Sequence, residues 1–287
     1  MIICVSFGLV VHLIKEKKVP LPINLILVRH GQSEGNVATE ASKHGDDSYF
    51  TEEFRGRHSR DFRLTDKGIK QAVAAGEWIR KNIRDNFDGF YVSDYIRAKE
   101  TAALLDLAFA NWRVEFHLRE RDRALIDNVP RSEERELFPL EHKQYKINPF
   151  YSVPAGGGES FASFCLRLKA MFIEHLSRRS NDFAVIAVCH GHVMRALQME
   201  IENLEHDDFL RLDSSKDPVD KINNCQIFWY TRIDPNTGDV GKKIIAVRSI
   251  SPWGDVFDSG WRRIVPKFSS NEDLLEEVSR YPRIVNG

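Results

Sequence analysis

Two histidines stand out by their surroundings. Arg29-His30-Gly31-Gln32-Ser33-Glu34-Gly35-Asn36 follows the apolar run Asn24 to Val28, and His190-Gly191-His192 follows the apolar run Phe183 to Val188. A neutral imidazole can attack phosphorus, and a guanidinium beside it can grip two phosphoryl oxygens at once. Glycines next to both histidines let backbone N–H groups come close to an anion. A third segment, Ser93-Asp94-Tyr95-Ile96-Arg97, follows the short apolar run Gly89 to Val92. It sets a second arginine near a helix start, where anions are favoured. His30, His190, Arg29 and Arg97 together suit a phosphate dianion. The plain alternatives are two satisfied strand-end histidines and an Arg97 that pairs with Glu100 or Asp94 on a helix surface.

Such a set needs elements that carry it to one place. Asn24 to Val28, Gly89 to Val92 and Phe183 to Val188 read as buried strands. Thr65 is a candidate N-cap for a helix carrying Ile69, Ala72, Val73, Gly76 and Ile79 on one side. A helix is predicted through Arg97 to about Leu107, then a short strand around Val114 to Phe116. The polar stretch from Arg123 to Gly158, with four prolines, reads as an excursion from the core. Glu159 to Ser177 has the spacing of an amphipathic helix, with Phe161, Phe164, Leu168, Met171 and Phe172 on one face. Gly156 to Gly158 read as its flexible lead-in, without the Lys-Ser or Lys-Thr of a Walker loop. Met194 to Ile201 continues as a helix, and Cys225 to Thr231 and Lys243 to Arg248 pair around a turn at Pro235 to Gly238. Strands alternating with helices indicate an α/β three-layer sandwich, its largely parallel central sheet flanked by helices. Ligands of such sheets sit beyond the carboxyl ends of the strands, which is where both histidines fall.

Composition removes several classes. The 287 residues carry 41 Lys and Arg against 42 Asp and Glu, a net charge of −1, so the basic excess of a nucleic-acid or anionic-membrane surface is absent. Arg178-Arg179 and Lys15 to Lys18 are short charged faces. Cys4, Cys165, Cys189 and Cys225 form no CxxC pair, which fits a reducing, cytoplasmic setting; Cys189 reads as a buried strand cysteine. The apolar run Met1 to Ile14 is too short to span a bilayer and lacks the features of a signal peptide. It reads as an extra strand or an over-extended reading frame, with a weak membrane anchor as the alternative. His190, His192 and His30 also raise a metal site, but the flanking arginines would repel a cation.

Leu27 to Asn36, Leu64-Thr65 with Gly68, Ser93 to Ala102, Gly157-Gly158-Glu159-Ser160 and Val188 to Gly191 occur in the order of the histidine phosphatase superfamily. The chain resembles its phosphoglycerate-mutase-like branch over about Asn24 to Thr231. That resemblance implies His30 as the nucleophile, forming a phosphohistidine that water hydrolyses. It implies Arg29, Arg97 and His190 around the phosphoryl group, with Asn36 and Gly191 among the binding residues. Glu120, in Leu118-Arg119-Glu120-Arg121-Asp122, matches the acid that protonates the leaving oxygen, and Asp122 is its rival. Such an acid needs a pKa raised toward neutrality. Family members often carry a glycine shortly after the acid, where this chain has Arg123-Ala124. The Gly-Trp segment usual in mutases is also missing from Val37 to Arg63.

The resulting expectation is a metal-independent phosphatase of the histidine acid type, without cofactor, acting on a small phosphorylated substrate. No nucleic-acid or membrane partner is expected, and a homodimer is a candidate assembly. A phosphoglycerate-type mutase is the alternative, with Arg55, Arg57 and Arg121 as extra cations at the pocket mouth. A catalytically idle phospho-ligand-binding protein is the third reading. The domain division expected is an extension over 1–23, a catalytic domain over 24–240 and an accessory segment over 241–287. The last holds Trp253, Phe257, Trp261 and a helix at Asn271 to Ser279; its aromatics are open to packing on the core, covering the pocket or a dimer contact.

Overall fold

The structure is a computed structural model that describes residues 21–170, 176 and 184–285. Met1 to Lys18, Met171, Phe172 and Arg178-Arg179 lie outside the described residues. Strand β1 (Asn24–Arg29) sits inside a seven-stranded sheet with β2 (Gly89–Val92), β3 (Trp112–Val114), β4 (Ala184–Cys189), β5 (Ile227–Thr231), β6 (Ala246–Ser251) and β7 (Phe257–Arg263). The order is β3-β2-β4-β1-β5-β6-β7. The first four strands are parallel, and β5, β6 and β7 each run antiparallel to the strand before them in that order. The sheet thus continues through residues 246–263.

Side chains alternate across a strand with a period of two, so each strand feeds two cores. On one face, Leu25 and Leu27 join Phe161, Phe164, Val193, Met194 and Phe209. These come from α7 (Phe161–Leu168), α8 (Gly191–Glu202) and α9 (His206–Ser214). On the other face, Ile26 and Val28 pack with Ala72, Ala75, Ile79, Ala98 and Ala102 from α3 (Asp66–Asn82) and α4 (Ile96–Leu104). The result is the expected three-layer α/β sandwich. Short helices α1 (Glu34–Lys43), α2 (Glu52–Gly56), α5 (Arg131–Leu137) and α6 (Pro139–Ile147) lie in the connections, and α10 (Asn271–Ser279) ends the described chain. No helix among the described residues is long and apolar enough to cross a membrane.

Local chemistry explains most boundaries. Thr65 caps α3 through its hydroxyl, which accepts from Gly68 N at 3.1 Å. The segment expected as one helix from 159 to 177 starts at Phe161, because the Ser160 hydroxyl accepts from Ser163 N at 3.1 Å. Its continuation from Met171 lies outside the described residues, apart from Leu176. The helix through Arg97 stops at Leu104 rather than Leu107. Asp106 turns left-handed at φ 49°, and Arg80 takes the Leu105 and Asp106 carbonyls that end the turn. The strand expected at Val114 to Phe116 pairs two residues earlier, and Phe116 is exposed in a following 3₁₀ turn. Helix α8 opens at Gly191, three residues before the predicted start. Trp261 stacks edge-on against Trp229 at 4.8 Å, so this aromatic packs on the sheet.

Candidate active site

Register brings the two histidines together. Arg29 of β1 pairs with Cys189 of β4, and His30 N–H donates to the Cys189 carbonyl at 2.9 Å. His30 and His190 therefore leave adjacent strand ends side by side, ring centroids 5.1 Å apart. At the end of β2, Ser93 N–H donates to the Val188 carbonyl at 3.0 Å, which sets the Ser93 hydroxyl 2.8 Å from His190 Nε2. The turn after His30 is pinned by a close approach: a Cβ on Gly31 would lie 2.4 Å from the Gly68 carbonyl oxygen, and one on Gly68 would lie 2.1 Å from that of Gln32. Gly31 N–H also donates to the Thr101 hydroxyl at 3.0 Å, tying the turn to α4.

The surroundings select the tautomer of His30. Nδ1 lies 2.7 Å from the Gly31 carbonyl, which can only accept, so the proton sits on Nδ1. The lone pair is left on Nε2, and Arg97 Nε–H points at it from 3.1 Å. Arg97 donates through Nη1 to the Ser59 carbonyl at 2.6 Å and lies 4.8 Å over the Tyr95 ring. It is buried and forms no ion pair among the described residues, while Glu100 and Asp94 pair with Arg63 and Arg60. Arg29 donates Nη1 to the Ile222 carbonyl at 2.6 Å. Two buried nitrogens, Arg29 Nε and His190 Nδ1, have no hydrogen-bond partner among the described residues. Gly191 leaves that face of Arg29 open, since a Cβ there would touch Nε at 3.5 Å.

Electrostatics keep the imidazoles neutral. Burial, then the charges of Arg97, His190 and Arg29, hold His30 well below the ordinary histidine range. His190 is held well below it by burial and Arg97, against a raising pull from Glu120. Burial lowers Arg29 and Arg97 as well; Glu120 pulls both back up, and Arg97 adds to the lowering of Arg29. The two strand-end imidazoles are thus neutral and desolvated, with buried guanidinium groups beside them. Helices α4 and α8 add positive ends that no side chain caps.

Asn36 stands at the rim with its Oδ1 occupied by donors from Ser33 N and Asn224 Nδ2, at 3.2 and 3.0 Å. This bonding assigns its amide nitrogen as the end left for a ligand. Glu120 lines the same cavity, of about 160 Å³, with His30, Asn36 and Arg97. Asp122 is exposed, accepts from Ala124 N at 2.8 Å and does not line the cavity, so geometry separates the two rival carboxylates. The Glu120 segment is clamped by Glu159. Its backbone N–H donates to the Asp122 carbonyl at 2.9 Å, while its carboxylate pairs with Arg167 at 2.6 Å. Gly158 packs against that carbonyl, where a Cβ would come within 2.6 Å, and Gly156 against the Leu125 side chain, whereas Gly157 between them faces open space.

Two expectations need correction. Glu120 was expected to have a raised pKa. Burial does push it up, but the charge and hydrogen bond of His192, with His190 and the Arg121 N–H, hold it well below the usual carboxylate range. The expected mouth cations also differ. Arg55 is committed to Glu133 at 2.5 Å, and Arg57 to Glu53 at 2.8 Å. Arg123 and Arg131 line the cavity in their stead and share Glu134, at 3.5 and 3.1 Å. Arg121 lines a neighbouring cavity of about 180 Å³ that shares Arg123, Arg131, Glu134 and His192 with the first. Sequence reasoning missed Ser59, Asn224, Arg131 and Glu134, which sit in stretches without a recognisable pattern. No group of three or more metal-ligating side chains is assembled among the described residues.

A mixed sheet whose parallel strands carry a buried neutral imidazole, two arginines and unpartnered nitrogens at their carboxyl ends defines a phosphoryl-transfer class of protein. The chain belongs to the histidine phosphatase superfamily, branch 1, whose sequence profile matches residues 25–220. A 2,3-bisphosphoglycerate-dependent phosphoglycerate mutase of Parvibaculum lavamentivorans is 30% identical over 199 residues, 67% of this chain and 86% of that protein. One of Methylorubrum populi is 30% identical over 185 residues, 63% of this chain and 79% of that protein. Among solved structures, a mycobacterial glucosyl-3-phosphoglycerate phosphatase in complex with VO3 superposes with a TM-score of 0.56 at 20% identity, covering 86% of this chain and 99% of that one. The alpha-ribazole phosphatase of Shigella flexneri gives 0.56 at 17% identity, covering 77% and 95%. At such identities these structures establish the shared fold.

Proposed function

We propose that this protein is a metal-independent phosphatase of the histidine acid type that hydrolyses small phosphomonoesters through a phosphohistidine on His30. The observation that carries this reading is the poised His30 Nε2 lone pair beside Arg97, with two unpartnered buried nitrogens on Arg29 and His190. A phosphoryl dianion would exchange the Arg97–His30 bond for one of its own oxygens and engage Arg29 Nε, His190 and Asn36 Nδ2. Nε2 then bonds phosphorus as the P–O bond to the alcohol breaks, and Glu120 supplies the proton to the leaving oxygen. In the second half water attacks phosphorus, Glu120 takes its proton, and the N–P bond breaks to give inorganic phosphate. The arginines stabilise charge on the transferring oxygens without a metal.

Hydrolysis is favoured over mutation of phosphoglycerate because Arg55 and Arg57, which would retain a doubly phosphorylated intermediate, are committed to carboxylates. The mutase reading keeps one specific support, Arg121, which has no carboxylate partner among the described residues, together with the identity to mutases. Rapid mixing with p-nitrophenyl phosphate, a quench and mass spectrometry under alkaline handling test the chemistry. Phosphate on the His30 peptide, with turnover resistant to chelator, is expected. Vanadate binding with neither adduct nor turnover would instead mark a binding protein. Transfer between the 2- and 3-positions of phosphoglycerate would mark a mutase.

A further inference from the structure

Residues 222–226, which lead into β5, grip the start of the site from behind. The Ile222 carbonyl accepts from Arg29 Nη1 at 2.6 Å, and the Gln226 carbonyl accepts from the Arg29 N–H at 3.0 Å. The Cys225 N–H forks between the Arg29 and His30 carbonyls, at 3.1 and 3.3 Å. To aim it there, the buried Cys225 takes a left-handed backbone at φ 55°. That conformation is strained for a residue with a Cβ and persists only where the surroundings impose it. Gln226 supplies the bracing. Its Oε1 accepts from the Asn223 N–H at 2.6 Å, and its Nε2 donates to the Ser249 hydroxyl of β6 at 2.7 Å.

Asn224 is the side chain that this turn delivers. Its Nδ2 donates to the His30 carbonyl at 3.1 Å and to Asn36 Oδ1 at 3.0 Å. Two acceptors on one nitrogen call for two hydrogens; a serine or threonine hydroxyl has one and a carboxylate has none. The first bond holds the peptide of the nucleophile. The second holds a side chain that, in the proposed cycle, binds the phosphoryl group. The two ends of an amide have nearly the same shape, so the end that faces the cavity depends on how the other is held. Asn36 Oδ1 also accepts from the Ser33 N–H at 3.2 Å. A flipped Asn36 would set its N–H groups against two donors and turn Oδ1 toward the phosphoryl oxygens. Asn36 lines the catalytic cavity, whereas Asn224 lines a groove of about 520 Å³ on the Arg29 side.

We propose that Asn224 is a positioning residue for phosphoryl binding. It fixes the Asn36 amide with its nitrogen toward the phosphoryl oxygens and ties that amide to the His30 peptide, without touching the substrate itself. Because it acts through a binding group that serves substrate and transition state alike, its removal should appear in KM more than in kcat.

This proposal rests on the phosphoryl-binding role of Asn36 in the hydrolysis reading, and the experiment separates the two. Affinity for inorganic phosphate, by calorimetry, and steady-state hydrolysis of p-nitrophenyl phosphate are compared for the full chain as wild type, Asn224→Leu, Asn36→Ala and the double variant. Asn224→Leu keeps the size of the side chain and removes both donated bonds. It should weaken phosphate and raise KM on the order of 10-fold, with kcat within about threefold of wild type. In the Asn36→Ala background the same change should alter phosphate affinity by less than about twofold, because the amide that it orients is gone. Equal losses in both backgrounds would mark a role in the fold alone and overturn the proposal, as would an unchanged affinity of Asn224→Leu. Asn224→Asp, isosteric and polar, gives the same comparison if the leucine variant does not fold. Its carboxylate draws the Asn36 N–H groups to itself and presents Oδ1 to the ligand, so phosphate should bind on the order of 100-fold more weakly. That loss should shrink to about 10-fold or less in the Asn36→Ala background, and an equal loss there again overturns the proposal. If Asn36→Ala binds phosphate as tightly as wild type, the proposal falls with the role of Asn36. Failure of the wild type to form phosphohistidine or turn over any ester would overturn the hydrolysis reading and leave the binding comparison standing.

Discussion

Arg97 is a buried cation without an ion-pair partner among the described residues, and its replacement should separate stability from function. Arg97→Met retains most of the volume and removes the charge. The change forfeits the bonds to His30 Nε2 and the Ser59 carbonyl, about 1 kcal/mol each, and the stacking over Tyr95, about 1 kcal/mol. Against that loss of about 3 kcal/mol stands the cost of holding a desolvated charge near Arg29, several kcal/mol for an unpaired buried ion. The phosphate-free variant should therefore be more stable than wild type by about 1 kcal/mol, or roughly 2–4 °C in Tm. Phosphate at 100 times its Kd should stabilise the wild type by about 2.7 kcal/mol and the variant far less. Turnover should fall on the order of 100- to 1000-fold, as when a transition-state donor is removed. With His30 freed from its main cationic neighbour, its pKa should rise, so the acid limb of kcat/KM should move to higher pH. Thermal melts with and without inorganic phosphate, plus steady-state assays, read all of this. A variant that melts lower than wild type and still gains stability from phosphate would refute the reasoning.

Further expectations concern pH, close packing and the Glu120 clamp. His30 and His190 titrate well below 6.5 in the folded state, so the unfolded chain binds more protons between the two values. Stability should be fully present above about pH 6.5 and fall below it by up to about 1.4 kcal/mol per pH unit for each imidazole; a urea midpoint that stays flat from neutrality to mild acid would contradict this. Gly68→Ala pushes a methyl to within 2.1 Å of the Gln32 carbonyl, and should cost about 2 kcal/mol or more while displacing the His30 turn; wild-type stability and rate together would show that the contact relaxes freely. Glu159→Gln weakens the pair with Arg167 that clamps the Glu120 segment. It should lower stability by roughly 1–3 kcal/mol and slow alkyl esters more than p-nitrophenyl phosphate; equal slowing would mean that the clamp does not reach Glu120.

The sequence alone was enough to read the scaffold and the centre of the site, because both are written in local patterns. Apolar runs ending in Arg29-His30-Gly31 and His190-Gly191 mark strand ends, and Thr65 marks a helix start through a hydroxyl that reaches only three residues on. The helix expected at Asn271 to Ser279 has those bounds in the structure, where Ser270 caps it locally. Boundaries slipped where distant groups ended an element, as Arg80 does for α4. The partners of the charged side chains were decided by tertiary structure. Glu120 meets His192 rather than an arginine, Arg55 spans 78 positions to reach Glu133, and Arg123 and Arg131 close on one Glu134. Those choices set whether Glu120 is ionised and which cations remain for substrate. Propensity acts over a few neighbouring residues, whereas Coulomb energy and desolvation depend on distances and burial that exist only once the chain has folded.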